Sequence, residues 1–147
     1  MKRALVVLIV IFAFLGLSDS MYIARQEANT APLLCNVENL SDCNIVAQSR
    51  YSYLFGVPLA TYGIVFYSGI FILGALELAL PYRPFRRALQ AVSVVGVAIS
   101  VYFTYVEIFV IRALCIYCLA SALITLFILI AAGFIEPLRR GGDAASI

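Results

Sequence analysis

The chain has 147 residues, of which 64% are hydrophobic and only 12% charged, with a mean hydropathy of +1.03 and a formal net charge of +2. A soluble domain carries roughly twice that charged fraction, so a chain this short and apolar reads as a single integral membrane domain over residues 1–147, and its charge gives no argument for nucleic acid. Histidine is absent, which excludes imidazole-ligated haem, His-bearing zinc sites and His-based acid–base catalysis, and leaves sulfur, carboxylate and tyrosine chemistry.

A helix needs about 20 apolar residues to cross roughly 30 Å of hydrocarbon. The first candidate span, residues 4–24, follows Lys2 and Arg3 and is interrupted by Ser18, Asp19 and Ser20. Its start also fits a secretory signal peptide, but Leu17-Ser18-Asp19-Ser20 is a poor cleavage site and Met21, Tyr22 and Ile23 continue the apolar run, so an uncleaved first helix is expected. A polar stretch over 25–56 follows. Within it Ser41 is a candidate N-cap, and no Gly or Pro occurs from Asp42 to Tyr53, so a short surface helix is expected to start at Cys43. Three clearer spans follow at 57–80, 86–111 and 115–135. The expected fold is all-α: a four-transmembrane-helix bundle with a large extracytoplasmic loop, containing the short helix, between helices 1 and 2.

Short cytoplasmic loops accumulate Lys and Arg. Lys2, Arg3, Arg83, Arg86, Arg87, Arg139 and Arg140 fall on one side, against Arg25, Arg50 and Arg112 on the other. Both termini are therefore expected in the cytoplasm of a multi-pass cell (inner) membrane protein, with all four cysteines at the extracytoplasmic face.

Thiols are oxidised in that compartment, and an even cysteine count favours disulfides. Proximity pairs Cys35 with Cys43 and Cys115 with Cys118. A C-x-x-C ring removes little entropy from the unfolded chain and is easily reduced, so it is a poor structural staple. Cys115 is expected at the first turn of the last helix, where exposed amides stabilise a thiolate, as the reachable sulfur. Cys118, on the same face at i+3, is expected to point into the bundle. Cys35, in chain following Pro32, is the mobile partner of a more anchored Cys43. A four-cysteine zinc site fits poorly, because C-x7-C with C-x2-C is not the usual pair of knuckles.

A thiol relay needs an acceptor. No G-x-G-x-x-G follows a strand and no C-x-x-C-H occurs, so a bilayer-soluble quinone, which takes two electrons and two protons, fits one dithiol. No metal, haem or flavin is expected.

Several motifs together resemble the vitamin K epoxide reductase family, and its prokaryotic members most. They are Cys35-x7-Cys43, Ser49-Arg50-Tyr51, Leu54-Phe55-Gly56-Val57-Pro58, and Ser100-Val101-Tyr102 leading to Cys115-Ile116-Tyr117-Cys118. The resemblance implies a four-helix bundle around a quinone (menaquinone or ubiquinone) pocket. Electrons would pass from an extracytoplasmic thioredoxin-fold partner to Cys35 and Cys43, from Cys43 to Cys115, and from Cys118 to the quinone. Many prokaryotic relatives carry a fused thioredoxin-like domain; this sequence lacks one, so a separate partner is expected. Ser52 and Ala122 stand where the animal enzymes have an asparagine and a tyrosine, which favours ordinary quinone reduction over epoxide reduction.

The expected lining of the quinone pocket is Ser49, Ser52, Phe55, Tyr105, Glu107 and Ala122. Ionisable residues inside spans are functional candidates. Glu107 is read either as a proton carrier for the quinone, as snorkelling to the outer interface, or as meeting Arg112. Asp19 has a similar but weaker case, and Glu77 is expected to reach the headgroups. Tyr102 and Tyr105 suit an interfacial belt as well as a pocket, and Ser93, Gly96 and Ser100 form a small-residue face for helix packing. Two other classes stay open: an oxidase like the membrane disulfide-bond protein B family, which reverses the order of the cysteine pairs, and a non-enzymatic tetraspan protein with structural disulfides.

Overall fold

A computed structural model describes residues 1–34, 36–37 and 41–135, without side-chain placement at 36, 37, 41 and 42. The helices are α1 (Lys2–Ala28), α2 (Cys43–Gln48), α3 (Leu59–Ala79), α4 (Arg83–Tyr105) and α5 (Ile116–Ile135). A π-helical turn, Val106–Ile111, extends α4. α1, α3, α4 with its π turn, and α5 are each long and apolar enough to cross a membrane, and α2 is the expected short helix opening at Cys43. The Ser41 cap lies outside the described side chains.

α1 runs through Ser18-Asp19-Ser20 without a break and ends four residues beyond the expected boundary. The polar side chains are absorbed locally: Ser18 Oγ donates back to the Phe14 carbonyl at 2.9 Å, and Ser20 is buried against Gly63 of α3, where a Cβ would lie 2.6 Å from its Oγ. At 1.5 Å per residue, a helix of 27 residues is about 40 Å long, so α1 outruns the hydrocarbon by a turn or two. α4 starts at Arg83 because Pro84, one residue in, sits where no intrahelical N–H is needed.

α1 packs mainly on α3 and α5, and α4 mainly on α5. The core at their crossing holds Val6, Ile9, Ala13, Tyr67, Ile70, Leu89 and Ile128. Gly16 admits the Tyr67 ring, whose hydroxyl meets Ser121 Oγ at 2.7 Å and Thr125 Oγ1 at 3.0 Å. Gly96 admits the Phe66 ring, and Ser93, fully buried, bonds the Leu89 carbonyl, as the small-residue face of α4 anticipates. Large apolar side chains such as Val65, Ile72, Val95 and Phe127 point outward, an arrangement suited to lipid and ill suited to water.

Glu77 departs from expectation. It is buried rather than reaching outward, and Arg86 Nε donates to its Oε1 at 2.5 Å. The short α3–α4 connection brings the first turns of α4 back over the end of α3, so Arg86 meets the carboxylate inside the bundle, with Lys2 and Arg3 beside them.

Two minimal antiparallel hairpins in the connecting region add to the helical plan. β1 (Asn36–Val37) pairs with β2 (Ser41–Asp42), and β3 (Tyr53–Leu54) pairs with β4 (Val57–Pro58). A 3₁₀ turn, Arg50–Ser52, joins α2 to β3.

Candidate functional site

The lower edge of the site is built by the α4–α5 junction. The π turn ends in Arg112, a non-glycine residue at φ +56°, and the Ala113 N–H donates to the Glu107 carbonyl at 3.1 Å. An inserted π turn rotates the residues that follow it relative to a continuing α-helix, and such turns recur at functional sites. Here Glu107 is buried, and its Oε2 accepts the Cys115 N–H at 3.3 Å; its carboxyl also hydrogen-bonds with the Cys118 side chain. Snorkelling is thereby overturned, and among the described residues Glu107 forms no ion pair with Arg112.

Cys115 precedes α5, and its carbonyl accepts the Leu119 N–H at 3.0 Å, closing the first turn. Both Cys115 and Cys118 are free thiols. A hydrogen bond with Cys118, helped by the N–H groups of Cys118 and Tyr117, holds the Cys115 thiol below the ordinary thiol range, against burial and the Glu107 charge. Contrary to expectation, Cys115 is not an open residue: it is only 3% exposed, whereas Cys118 is partly buried. The cause is α2, which lies over it: Leu33, Cys43, Val46 and Cys115 form one buried cluster, with Cys118 and Tyr117 packed against it.

Cys43 opens α2, is fully buried and is disulfide-bonded. Three contacts seat this cover. Leu33 N–H donates to Asn44 Oδ1 at 2.9 Å, the Tyr117 hydroxyl donates to the Leu34 carbonyl at 3.0 Å, and the Tyr22 and Tyr117 rings lie 5.3 Å apart. Cys35 lies outside the described residues, as do Arg139 and Arg140 of the orientation argument.

Behind the sulfurs lies a cavity of about 230 Å³ between the helices. Cys43, Cys115 and Cys118 all reach it. Phe66 and Tyr67 wall it from α3, Gly96, Ser100 and Phe103 from α4, Ser121 and Thr125 from α5, and Asp19, Ile23 and Glu27 from α1. The wall is largely apolar with a few polar groups, the form of a small-molecule pocket.

Of the six expected pocket residues, Ser49, Ser52 and Glu107 line the cavity. The two serine hydroxyls bond the Val46 carbonyl, Ser49 at 2.7 Å, which ties α2 to the 3₁₀ turn. Phe55, Tyr105 and Ala122 are not in the wall. Phe55 (φ +53°) and Gly56 (φ +79°) are the central pair of the β3–β4 hairpin, a type I′ turn, which leaves the Phe55 side chain 93% exposed. Tyr105 points outward with Tyr102, and its ring lies 4.8 Å from that of Phe109. Ala122 sits beside the inward-facing Ser121 but on a different face of α5, being half-buried elsewhere in the bundle.

Sequence reasoning missed Tyr67 and undervalued Asp19. A lone tyrosine in the middle of an apolar span, away from both interfaces, was a readable sign for the first. The spacing of Asp19, Ile23 and Glu27 at i, i+4 and i+8 was one for the second. Residues 7–132 match the sequence model of the vitamin K epoxide reductase family.

Proposed function

Because the chain belongs to the vitamin K epoxide reductase family, a family of membrane thiol oxidoreductases, we propose that it generates disulfides by carrying electrons from an extracytoplasmic thioredoxin-fold protein to a membrane quinone. One observation carries this reading: a disulfide-bonded Cys43 packs in the same buried cluster as Cys115, with the two free thiols beside an apolar cavity.

In the proposed cycle the partner's two thiols reduce a Cys35–Cys43 disulfide and leave as the partner's disulfide. Cys43 thiolate then attacks Cys115 of an oxidised inner pair, forming a Cys43–Cys115 bond and releasing Cys118. Cys35 attacks Cys43, restoring the outer disulfide and freeing Cys115. An oxidised outer pair with a reduced inner pair is the state ready to discharge, and the depressed Cys115 thiol suits both its leaving and its attacking roles. Cys118 then delivers electrons to the quinone while Cys115 closes the inner disulfide. Two electrons and two protons make the quinol.

Glu107 is the group positioned to take the Cys118 proton and pass it on, since it touches both members of the pair. Ser49 and Ser52, engaged with the Val46 carbonyl, help shape the pocket roof. With Ser52 so committed and no tyrosine at position 122, an ordinary quinone is the favoured substrate over an epoxide. The same reading puts the cysteine end of the bundle outside the cell membrane and both termini in the cytoplasm.

The relay is tested by removing its first and last sulfurs. In a Cys35→Ser, Cys118→Ser variant, mild oxidation is expected to join Cys43 to Cys115, identified by mass spectrometry of the linked peptides. Recovery of both as free thiols after oxidant treatment would break the relay.

A further inference from the structure

Quinone reduction, on the function proposed above, consumes two protons at a point enclosed by protein. α1 presents Asp19, Ile23 and Glu27 to the cavity along one face, from the last turn of the helix on the cysteine side to two turns deeper. Eight residues of helix separate the two carboxyls by about 12 Å along the axis. Asp19 Oδ2 and Glu27 Oε2 are both shut off from solvent and lack a hydrogen-bond partner among the described residues. Neither has a cation partner there, where Glu77–Arg86 is the one ion pair. Carboxyls in a membrane span without such partners are functional candidates before they are packing residues.

In the opposite direction the cavity meets apolar packing. Beyond the Tyr67 hydroxyl, the layer of Val6, Ile9, Ala13, Ile70 and Ile128 separates the cavity from the Glu77–Arg86 pair, and among the described residues it contains no carboxyl, thiol or amine. Groups facing Asp19 across the cavity are Tyr67 on α3, Glu107 on the π turn, and Tyr117 and Cys118 on α5. The part of the cavity beside α1 is lined by these carboxyls and by Ser20, which supply the polar partners that ordered waters need.

We propose that the Asp19–Ile23–Glu27 face of α1 is the proton inlet for quinone reduction, so that the protons completing the quinol enter from the cysteine side. Glu27, only partly buried as a residue, exchanges protons with water at the loop, and Asp19 hands them through cavity water toward the reacting ring and Glu107. Oxidation of the partner's dithiol releases two protons and two electrons on that side, and the quinol takes up two of each. No net charge crosses the bilayer.

The test uses the intact protein in sealed vesicles with a quinone in the bilayer, a pH dye in the lumen and an impermeant reduced thioredoxin-fold dithiol outside. Only molecules with outward cysteines turn over. Lumen pH is expected to hold constant while quinol accumulates. Asp19→Asn is expected to slow quinol formation about a hundredfold, the scale of a lost proton-transfer group, while the first thiol exchange with the partner keeps its rate. Glu27→Gln slows it less, and added formate, a diffusible proton carrier, restores it, which no packing role explains. Alkalinisation of the lumen by one proton per electron would overturn the inlet, as would an unchanged rate in Asp19→Asn. Absence of quinol with the unmodified protein would instead overturn the quinone reading on which the inlet rests.

Discussion

Cys118→Ala is expected to abolish quinol formation, lowering turnover by at least about a thousandfold, the order seen when an enzyme loses its nucleophile. The position of Cys118 is the cause. Cys118 is the half-buried member of the pair, lines the cavity, and hydrogen-bonds with the Glu107 side chain, whereas Cys115 is covered by α2 and faces Cys43. Without Cys118 no inner disulfide can form, so electrons have no path beyond the outer pair and partner oxidation should stop once the Cys35–Cys43 disulfide is spent. Alanine is smaller than cysteine and adds no polar group, so the bundle should retain its stability; a melting temperature close to that of the unmodified protein would assign the loss to chemistry. Sustained turnover in Cys118→Ala would remove the sulfur from the path.

Arg86→Ala carries the largest expected stability effect. It leaves Glu77, whose side chain is 2% exposed, without its cation, and Glu77 Oε2 already has no partner among the described residues. Breaking a buried pair from one side costs about 3–5 kcal/mol because a charge is left uncompensated. The lower end applies here, since the Arg86 side chain keeps 20% of its exposure. A double Glu77→Gln, Arg86→Ala variant removes the charge along with its partner and should recover most of the loss. Thermal or denaturant unfolding in detergent reads both, and an Arg86→Ala protein as stable as the unmodified one would show that the carboxylate is solvated after all.

The spans were legible because a hydrocarbon slab imposes one requirement, about 20 apolar residues in a row, and α3, α4 with its π turn, and α5 meet it within a few residues of the expected bounds. The short helix at Cys43 was legible from the absence of Gly and Pro after it. What depended on contacts between distant elements was not. Nothing in the local sequence marks Val106–Ile111 as a π turn, yet that turn accompanies the placement of Glu107 beside Cys115 instead of at the interface. Glu77 read as a headgroup-seeking residue because its partner comes from the next helix. Phe55 read as a pocket residue from its motif, while the hairpin beside it demanded positive φ at two adjacent positions and turned its ring outward. Cys115 read as reachable because α2 cannot be seen covering it until the loop is folded.

For the site, the sequence singled out the sulfurs and left most of the cavity wall unnamed. Cysteine spacing is a covalent constraint on chemistry and survives without coordinates. Cavity walls such as Tyr67, Phe66 and Asp19 arise from which helix faces meet, and the apolar spans of α1 and α3 show little facial contrast from which to infer that.

Coupling of thiol oxidation to quinone reduction through these cysteines is read from stoichiometry. Purified protein in lipid would be given a reduced thioredoxin-fold dithiol and a quinone without oxygen, and partner disulfide and quinol would be followed together. One quinol is expected for each partner disulfide, over many turnovers and with none formed when Cys118 is replaced. Partner oxidation that stops after the protein's own disulfides are spent, with no quinol appearing, would contradict it.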